Sequence, residues 1–217
     1  MANQKIHEYL NTATTVGASD YYDVDKFDGV NYTTSKISGA SLIAALKCGI
    51  YSQTTEGTDK TGTTYQSILS GTGVGSLSVP ANGFVVGDTY HADLCGIMSS
   101  INNDDISIQI NAGPTSAVTL LSLNQVLKNA TDKVFTLKMK FVVRAIGAAG
   151  VAQMATYCEF MYNDDASNKS ETFVFYVENS STFNTTTANV IDIQVKYNSA
   201  NAGNKSRSEL FTIHKAY

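Results

Sequence analysis

The chain has 217 residues, of which only 16% are charged, and its formal net charge is −4. This length permits one sizeable domain with an appendage. Its hydrophobic core can be large enough to stabilise the fold without disulfides or a structural metal ion. The acidic balance, with no basic stripe, argues against a nucleic-acid partner.

The first 19 residues are polar and weakly patterned. Ile6, Tyr9 and Leu10 recur at i, i+3 and i+4, the spacing of a short amphipathic helical turn. A segment this short is not stable alone, so we expect an arm that orders on a partner. We assign residues 1–52 to an N-terminal attachment segment.

Two short elements follow within this segment. Asp28-Gly29 separates two strand-like runs and is a favoured hairpin turn, because both residues tolerate positive φ. Ser38–Leu46 is predicted to be a small helix, with an apolar edge formed by Leu42, Ile43 and Leu46. Together with the apolar residues of the arm, this edge is expected to pack against a partner.

Residues 53–64 contain no aliphatic or aromatic side chain and are predicted to be a linker. Residues 65–217 then show roughly eight to ten short strands separated by polar turns, which indicates a β-sandwich or barrel. The main predicted strands are Tyr65–Leu69, Gly75–Val79, Tyr90–Ser100, Ile106–Ile110, Lys133–Ile146, Val151–Tyr162, Thr172–Val177, Val190–Tyr197 and Glu209–Lys215, with Val118–Leu127 either strand or helix.

The strand over Lys133–Ile146 has the clearest pattern in the chain. Its apolar side chains share one parity and its charged side chains the other, as expected for a strand with one buried face. Val190–Tyr197 repeats this alternation. The fold class is therefore predicted to be all-β and antiparallel. The side chains predicted to point inward from these two strands are Phe135, Leu137, Met139, Phe141, Val143, Ile191, Ile193, Val195 and Tyr197.

Catalytic constellations are not indicated. His91 and Cys95 lie four residues apart on one predicted strand, about 13 Å at ~3.3 Å per residue, too far for thiol activation. His214 is best explained as a polar contact between subunits. No nucleophile-elbow, zinc-protease, P-loop or dinucleotide motif occurs, so neither an enzyme activity nor a cofactor is predicted.

The acidic pairs Asp104-Asp105 and Asp164-Asp165 lie in asparagine-rich turns. Neither has the spacing of a calcium loop, and solvated turns are the simpler explanation, so no metal site is predicted. A glycosidase-type pair stays open only if the two turns meet in space. Four tyrosines could stack sugars but are better explained by core or interface packing, namely Tyr157, Tyr162, Tyr176 and Tyr197.

The start of the chain lacks the charged-then-apolar order of a signal peptide. The least polar later stretch, Ala145–Ala155, is too short and too rich in glycine to cross a bilayer. We therefore expect a protein made in the cytoplasm, with no membrane partner. The odd number of cysteines also fits a reducing compartment.

Several fragments together resemble a virion module, the jelly-roll domain at the C-terminus of bacteriophage head-fibre and tail-fibre proteins, related to the tumour necrosis factor-like trimers. The most specific fragment is Phe135–Ala152, a long strand followed by Arg-x-x-Gly-x-x-Gly and small apolar residues. Val79–Ser99 and Asn189–Tyr217 also match, and Val24–Leu46 is similar to a segment that precedes fibre domains. The resemblance covers roughly residues 65–217.

The resemblance implies a homotrimer located on a virion, docked through residues 1–52 to a capsid or tail protein. Three polar loops are then expected to face outward, where they could adhere weakly to a host surface glycan. The loop residues concerned are Asn102, Asp104, Asp105, Asn163, Asp164, Asp165, Asn201 and Asn204. The alternatives are a tail-fibre receptor-binding protein, a monomeric carbohydrate-binding or carbohydrate-cleaving sandwich, and a cytokine-like trimer.

Overall fold

The computed structural model describes residues 21–27, 32–38, 49–101, 103–166 and 169–216. The chain divides into two compact units, residues 1–48 and residues 49–217. Every element among the described residues is a β-strand, and every strand pairing is antiparallel. The predicted all-β, antiparallel class is confirmed.

Over its described residues, the first unit contains an antiparallel hairpin, formed by β1 (Tyr21–Phe27) and β2 (Tyr32–Ser38). Phe27 pairs with Tyr32, so four residues join the strands, and the predicted Asp28-Gly29 turn lies among them, outside the described residues. No helix occurs in the described part of the chain. Ser38, the predicted first helical residue, ends β2 instead. The remaining predicted docking residues lie outside the described ranges, namely Ile6, Tyr9, Leu10, Leu42, Ile43 and Leu46.

The second unit consists of thirteen strands over its described residues. In chain order they are β3 (Gly49–Gln53), β4 (Gln66–Ser67), β5 (Gly73–Gly75), β6 (Ser78–Val79), β7 (Thr89–Ser100), β8 (Asp105–Ala112), β9 (Val118–Val126), β10 (Ala130–Ala145), β11 (Gln153–Asn163), β12 (Ser170–Asn179), β13 (Asn189–Val190), β14 (Asp192–Tyr197) and β15 (Lys205–Lys215). The stretch from Val118, predicted as strand or helix, is the strand β9.

These strands form a seven-stranded sheet in the order β12-β11-β10-β7-β15-β3-β5 and a four-stranded sheet in the order β4-β14-β8-β9. The short strands β6 and β13 pair with each other as a separate two-stranded sheet. Four of the pairings are nested in the sequence: β3 with β15, β4 with β14, β7 with β10, and β8 with β9. The hairpin β11–β12 extends the larger sheet beyond this nested set.

The core lies between the apolar faces of the two sheets, which together make a β-sandwich. Alternation along β10 buries Phe135, Leu137, Met139, Phe141 and Val143, as predicted, while its lysines face solvent. The smaller sheet contributes isoleucines of β8 and the predicted inward residues of β14 to the same cluster. A strand with one buried parity is stabilised by the transfer of those side chains out of water.

Residues 53–64 are joined to the second unit by backbone hydrogen bonds. The Gly57 amide donates to the carbonyl of Ser208 (2.7 Å), and Lys60 pairs with Ser206 in both directions (2.8 and 3.1 Å). Further along, the amide of Tyr197 donates to the carbonyl of Gly62 (3.0 Å). A freely extended linker would make none of these contacts, so the second unit includes this segment and begins at Gly49.

Candidate binding surface

One end of the sandwich, which we call the polar end, carries the connections β7–β8, β9–β10, β11–β12 and β14–β15. Three of these four are the loops that the sequence predicts to face outward. Consecutive antiparallel strands alternate in direction, so loops far apart in sequence meet at one edge of the sandwich. The structure brings the predicted loops together there.

Asp104 joins the β7–β8 connection to the β14–β15 connection. The Ser199 hydroxyl and the Asn204 amide both donate to its carboxylate. The amide of Asp105 also donates to it (3.0 Å), and Asn204 accepts a hydrogen bond from the backbone of Ile101 (3.0 Å). Asp104 therefore links the described residues of the two loops by hydrogen bonds, and we call this carboxylate and its donors the Asp104 hub.

The hydrogen bonds to Asp104 also stabilise the ionised form of its carboxylate. Burial opposes ionisation of Asp104, but the hydrogen bonds from Ser199, Asn204 and the neighbouring amides outweigh it and lower its pKa. Asp104 thus carries a negative charge at neutral pH while being only half-exposed. Its oxygens are occupied by protein donors, which makes it a structural group rather than a free ligand-binding carboxylate.

The β11–β12 connection packs on the β9–β10 connection. The amide of Asp165 donates to the carbonyl of Asn129 (2.9 Å), and the Asp165 carboxylate accepts from Thr131 (2.8 Å) and pairs with Lys133 (3.2 Å). The Thr131 hydroxyl is the largest influence that lowers the pKa of Asp165. Lys128 approaches Asp164 (3.7 Å) across the same contact.

The β9–β10 connection links the two halves of the polar end, and sequence reasoning missed it. Asp132 lies just inside β10, at an irregularity of its pairing with β7, and has a positive φ of 47°. Its carboxylate pairs with Lys205 (2.7 Å) and accepts from Ser99 (3.3 Å). Ser100 donates to the carbonyl of Lys128 (2.7 Å). The turn-forming run Asn129-Ala-Thr-Asp132 is the signal that could have revealed it.

Burial separates the predicted loop residues into two groups. Asn201 and Asp165 are exposed, and Asp105 and Asn163 are half-buried. Asn204 and Asp164 are 0% and 1% exposed, so they point into the loop framework and not outward. Asn102 lies outside the described residues. The solvent-facing part of the polar end is thus a shallow surface of amides, small residues and paired charges.

The described residues contain no cluster of three or more histidine, cysteine, aspartate or glutamate side chains that could hold a metal ion. Three lysines at the polar end are paired with acids: Lys128 with Glu171, Lys133 with Asp165, and Lys205 with Asp132. A surface with balanced, exposed charges can hydrogen-bond a polar ligand but provides little binding energy per contact.

The opposite end of the sandwich, the apolar end, is different in character. The β6–β7 connection exposes Val85 and Val86, and the β10–β11 connection exposes Ile146 and Val151. Gly49, where the second unit begins, pairs with His214 close to this end. The twelve residues of β7 run between the two ends, a span of about 36 Å at the usual rise per residue.

The outer face of the seven-stranded sheet, the side away from the core, carries the residues considered for catalysis. Cys95 is opposed across the strands by Thr136 and Leu210, neither of which can act as a base. Cys158 is buried on the core side, and burial raises the pKa of its thiol to about 12. A cavity of about 260 Å³ lies on the outer face beside Cys95.

The four tyrosines considered as sugar platforms divide evenly. Tyr162 and Tyr197 are core residues, each 1% exposed, and burial raises the pKa of both phenols. Tyr157 and Tyr176 are cross-strand partners on the outer face, where Tyr176 is 56% exposed. The sequence predicts core or interface packing for these tyrosines. Core packing is confirmed for the first pair, and interface packing of the second pair stays a prediction.

No family model matches the chain, and no curated protein matches it either. The described residues also contain no helix of the length and apolarity needed to cross a membrane.

Proposed function

We propose that this protein is a non-enzymatic structural component of a tailed-bacteriophage virion, a homotrimeric head fibre or decoration spike. Its first unit docks on the particle and its polar end faces outward. The observation that supports the proposal is the nested strand pairing of the second unit, because nested pairing is expected of a jelly roll, the fold that the resemblance implies.

A jelly roll is an eight-stranded double sheet built from two Greek keys. Taking β3, β4, β7, β8, β9, β10, β14 and β15 as strands one to eight, the larger sheet contains the order one-eight-three-six and the smaller sheet two-seven-four-five. This is the connectivity of a rolled antiparallel hairpin. The finer fold that we propose is therefore a jelly roll, extended at one edge by β11 and β12.

Two features support an orientation with the polar end outward. The second unit begins at the apolar end, so the chain connection to residues 1–48 is about a strand's length from the polar loops. The polar loops are also braced against one another by hydrogen bonds, as a surface exposed to solvent and to contact would need to be. Docking then uses the N-terminal segment, as the sequence predicts.

The outer face of the larger sheet supports self-association. Leu210, Val174 and Tyr176 are each more than half exposed there, and Val134 on β10 is 49% exposed. Exposed apolar side chains spread over one sheet face are typical of surfaces that pair with another protein. A closed ring of three copies would cover these apolar side chains and the sheet edges in each subunit.

Adhesion to a host surface glycan is the proposed role of the polar end. Its exposed amide and carboxylate groups can hydrogen-bond sugar hydroxyls, but each contact is weak. Three copies on one spike, and many spikes on one particle, convert weak contacts into useful avidity. This role is compatible with either a head or a tail position on the virion.

The test has three parts. Sedimentation equilibrium of the purified full chain should give three times the monomer mass, and electron micrographs of virions carrying a labelled copy should place it on projecting fibres. Deletion of residues 1–48 should keep the oligomer but remove it from the particle. A monomer, or a label absent from virions, would contradict the proposal.

The cross-strand pair of half-buried Tyr157 and exposed Tyr176 favours one second candidate, a monomeric carbohydrate-binding sandwich. Aromatic side chains on one sheet face can stack on sugar rings. Solution mass separates the candidates, because this alternative requires a monomer that is retarded on immobilised oligosaccharide, and Tyr176→Ala should abolish that retardation.

A further inference from the structure

We propose that His91 and His214 form a binding site for a divalent transition-metal ion that favours imidazole ligands, such as Zn²⁺ or Cu²⁺. The two residues are direct cross-strand partners on β7 and β15 and share the outer face of the larger sheet. Their ring centroids are 5.6 Å apart, and both side chains are half-buried. This inference is independent of the virion role.

The distance between the rings suits shared coordination. A metal-bound imidazole nitrogen lies about 2.0–2.1 Å from the ion, which places the ring centroid about 3.2 Å from it. Two such centroids at a tetrahedral angle are then about 5 Å apart. The observed distance of 5.6 Å is close to this value, and the rings are tilted by 58° rather than stacked face to face.

Among the described residues, the neighbours of His214 leave space for an ion beside the pair. Gly49, its partner on β3, carries no side chain. Lys215, the next residue, is directed to Asp88 by an ion pair of 2.7 Å. The other flank carries Lys140, opposite His91 on β10, followed by Asp93 and Lys138 one step along the sheet. Lys140 is thus the cation closest in register to the site, and it opposes binding.

The coordination number predicts which ions bind. The described residues offer no third histidine, cysteine or acid grouped with this pair, so water must complete the coordination. A site with two imidazoles and water favours Zn²⁺, Cu²⁺ and Ni²⁺ over Mg²⁺ and Ca²⁺, which prefer several oxygen ligands. Binding should be reversible and exchangeable rather than structural.

Isothermal titration of the full chain with ZnCl₂ and CuCl₂ tests this site. We expect one ion per chain, and a loss of affinity of about tenfold or more in His91→Ala and in His214→Ala. His7→Ala is the matched control, because it removes a histidine outside the pair, and MgCl₂ is the control ion. Lys140→Ala should tighten binding. Equal affinity in all three histidine variants, or no saturable binding, would overturn the proposal.

A second measurement needs no variant. Paramagnetic Cu²⁺ or Ni²⁺ added below one equivalent should selectively broaden the imidazole proton resonances of two of the three histidines. Broadening of all three, or of none, would contradict a site made by one histidine pair.

Both histidines lie on the outer sheet face, so the alanine variants should retain the native circular dichroism spectrum.

Discussion

Single buried side chains define which face of each strand is the core face. Phe141 is 1% exposed and opposes Tyr90 and Thr156 on the neighbouring strands. Removing a buried phenylalanine alone costs about 3–5 kcal/mol, and placing a carboxylate there adds the cost of an unpaired buried charge. Phe141→Asp should therefore prevent folding, which circular dichroism and solubility would report.

The matched control for that change is Lys140→Asp, one residue earlier on the exposed face of the same strand. It should leave the spectrum and the thermal midpoint nearly unchanged. A folded, soluble Phe141→Asp variant would show that the facing of β10 is incorrect.

Asp104 should make the stability of the polar end depend on pH. Its pKa is lowered in the folded protein, so its contribution is present above the unfolded pKa and is lost as the pH falls through the folded one. Thermal unfolding of the wild type and of Asp104→Asn, compared between about pH 6 and pH 2, should show a smaller pH dependence in the variant.

In that comparison Asp132 and Asp165, whose pKa values are also lowered, are present in both proteins and cancel in the difference. At neutral pH the wild type should unfold at a higher temperature, by about 2–4 °C per kcal/mol of lost hydrogen bonding. Parallel pH curves would mean that the Asp104 hub does not stabilise the fold.

At the scale of elements, the first strand of the second unit is the most informative. β3 is an internal strand of the larger sheet, between β15 and β5. Its Tyr51 is buried and packs against Phe211 with ring centroids 6.1 Å apart. Deletion of residues 1–48 should therefore preserve the fold, whereas deletion of residues 1–53 should unfold it or lower its thermal midpoint sharply.

Calorimetry of the two truncated proteins makes this comparison directly. Tyr51→Ala in the full chain isolates one part of the effect, and we expect it to cost about 3–5 kcal/mol, as for other large aromatic truncations in cores. If the two truncations have equal stability, the second unit begins after β3.

Strands with a long regular alternation were predictable from sequence, and short or polar ones were not. β10 buries five apolar side chains of one parity, and β14 with the adjoining Ile191 buries four. The alternation of apolar and polar residues is therefore enough to identify the buried face of each strand. Gln53 and Ser208 are buried polar residues that hydrogen-bond to each other across the sheet (3.1 Å). Hydropathy cannot anticipate such a contact, because it exists only once the strands have met.

The candidate surface was predictable to the same limited extent. Turn chemistry identified three of the four connections at the polar end. Asn204 and Asp164 differ from exposed loop residues only through partners distant in sequence, such as Asp104 for Asn204 and Lys128 for Asp164. The pairing of His91 with His214 likewise depends on the register of β7 and β15, which no local pattern encodes.

For the whole molecule, the outer sheet face gives the sharpest test of assembly. Leu210 is 62% exposed, so its replacement by glutamate should not disturb the monomer fold. In the proposed trimer it would place three charges in buried contacts, and like charges without partners disfavour association. Leu210→Glu should therefore sediment as a monomer with a native circular dichroism spectrum, and Thr212→Glu at the adjoining position on this face tests how far the contact extends.

The position of β15 also has a consequence for biosynthesis. This strand, the last that the structure describes, lies in the interior of the larger sheet, between β3 and β7. During synthesis, β3 therefore cannot pair with β15 until residues 205–215 have left the ribosomal exit tunnel. Pairings between distant segments fold slowly and leave open strands prone to aggregation. Newly made chains should thus depend on chaperones until translation of this strand is complete.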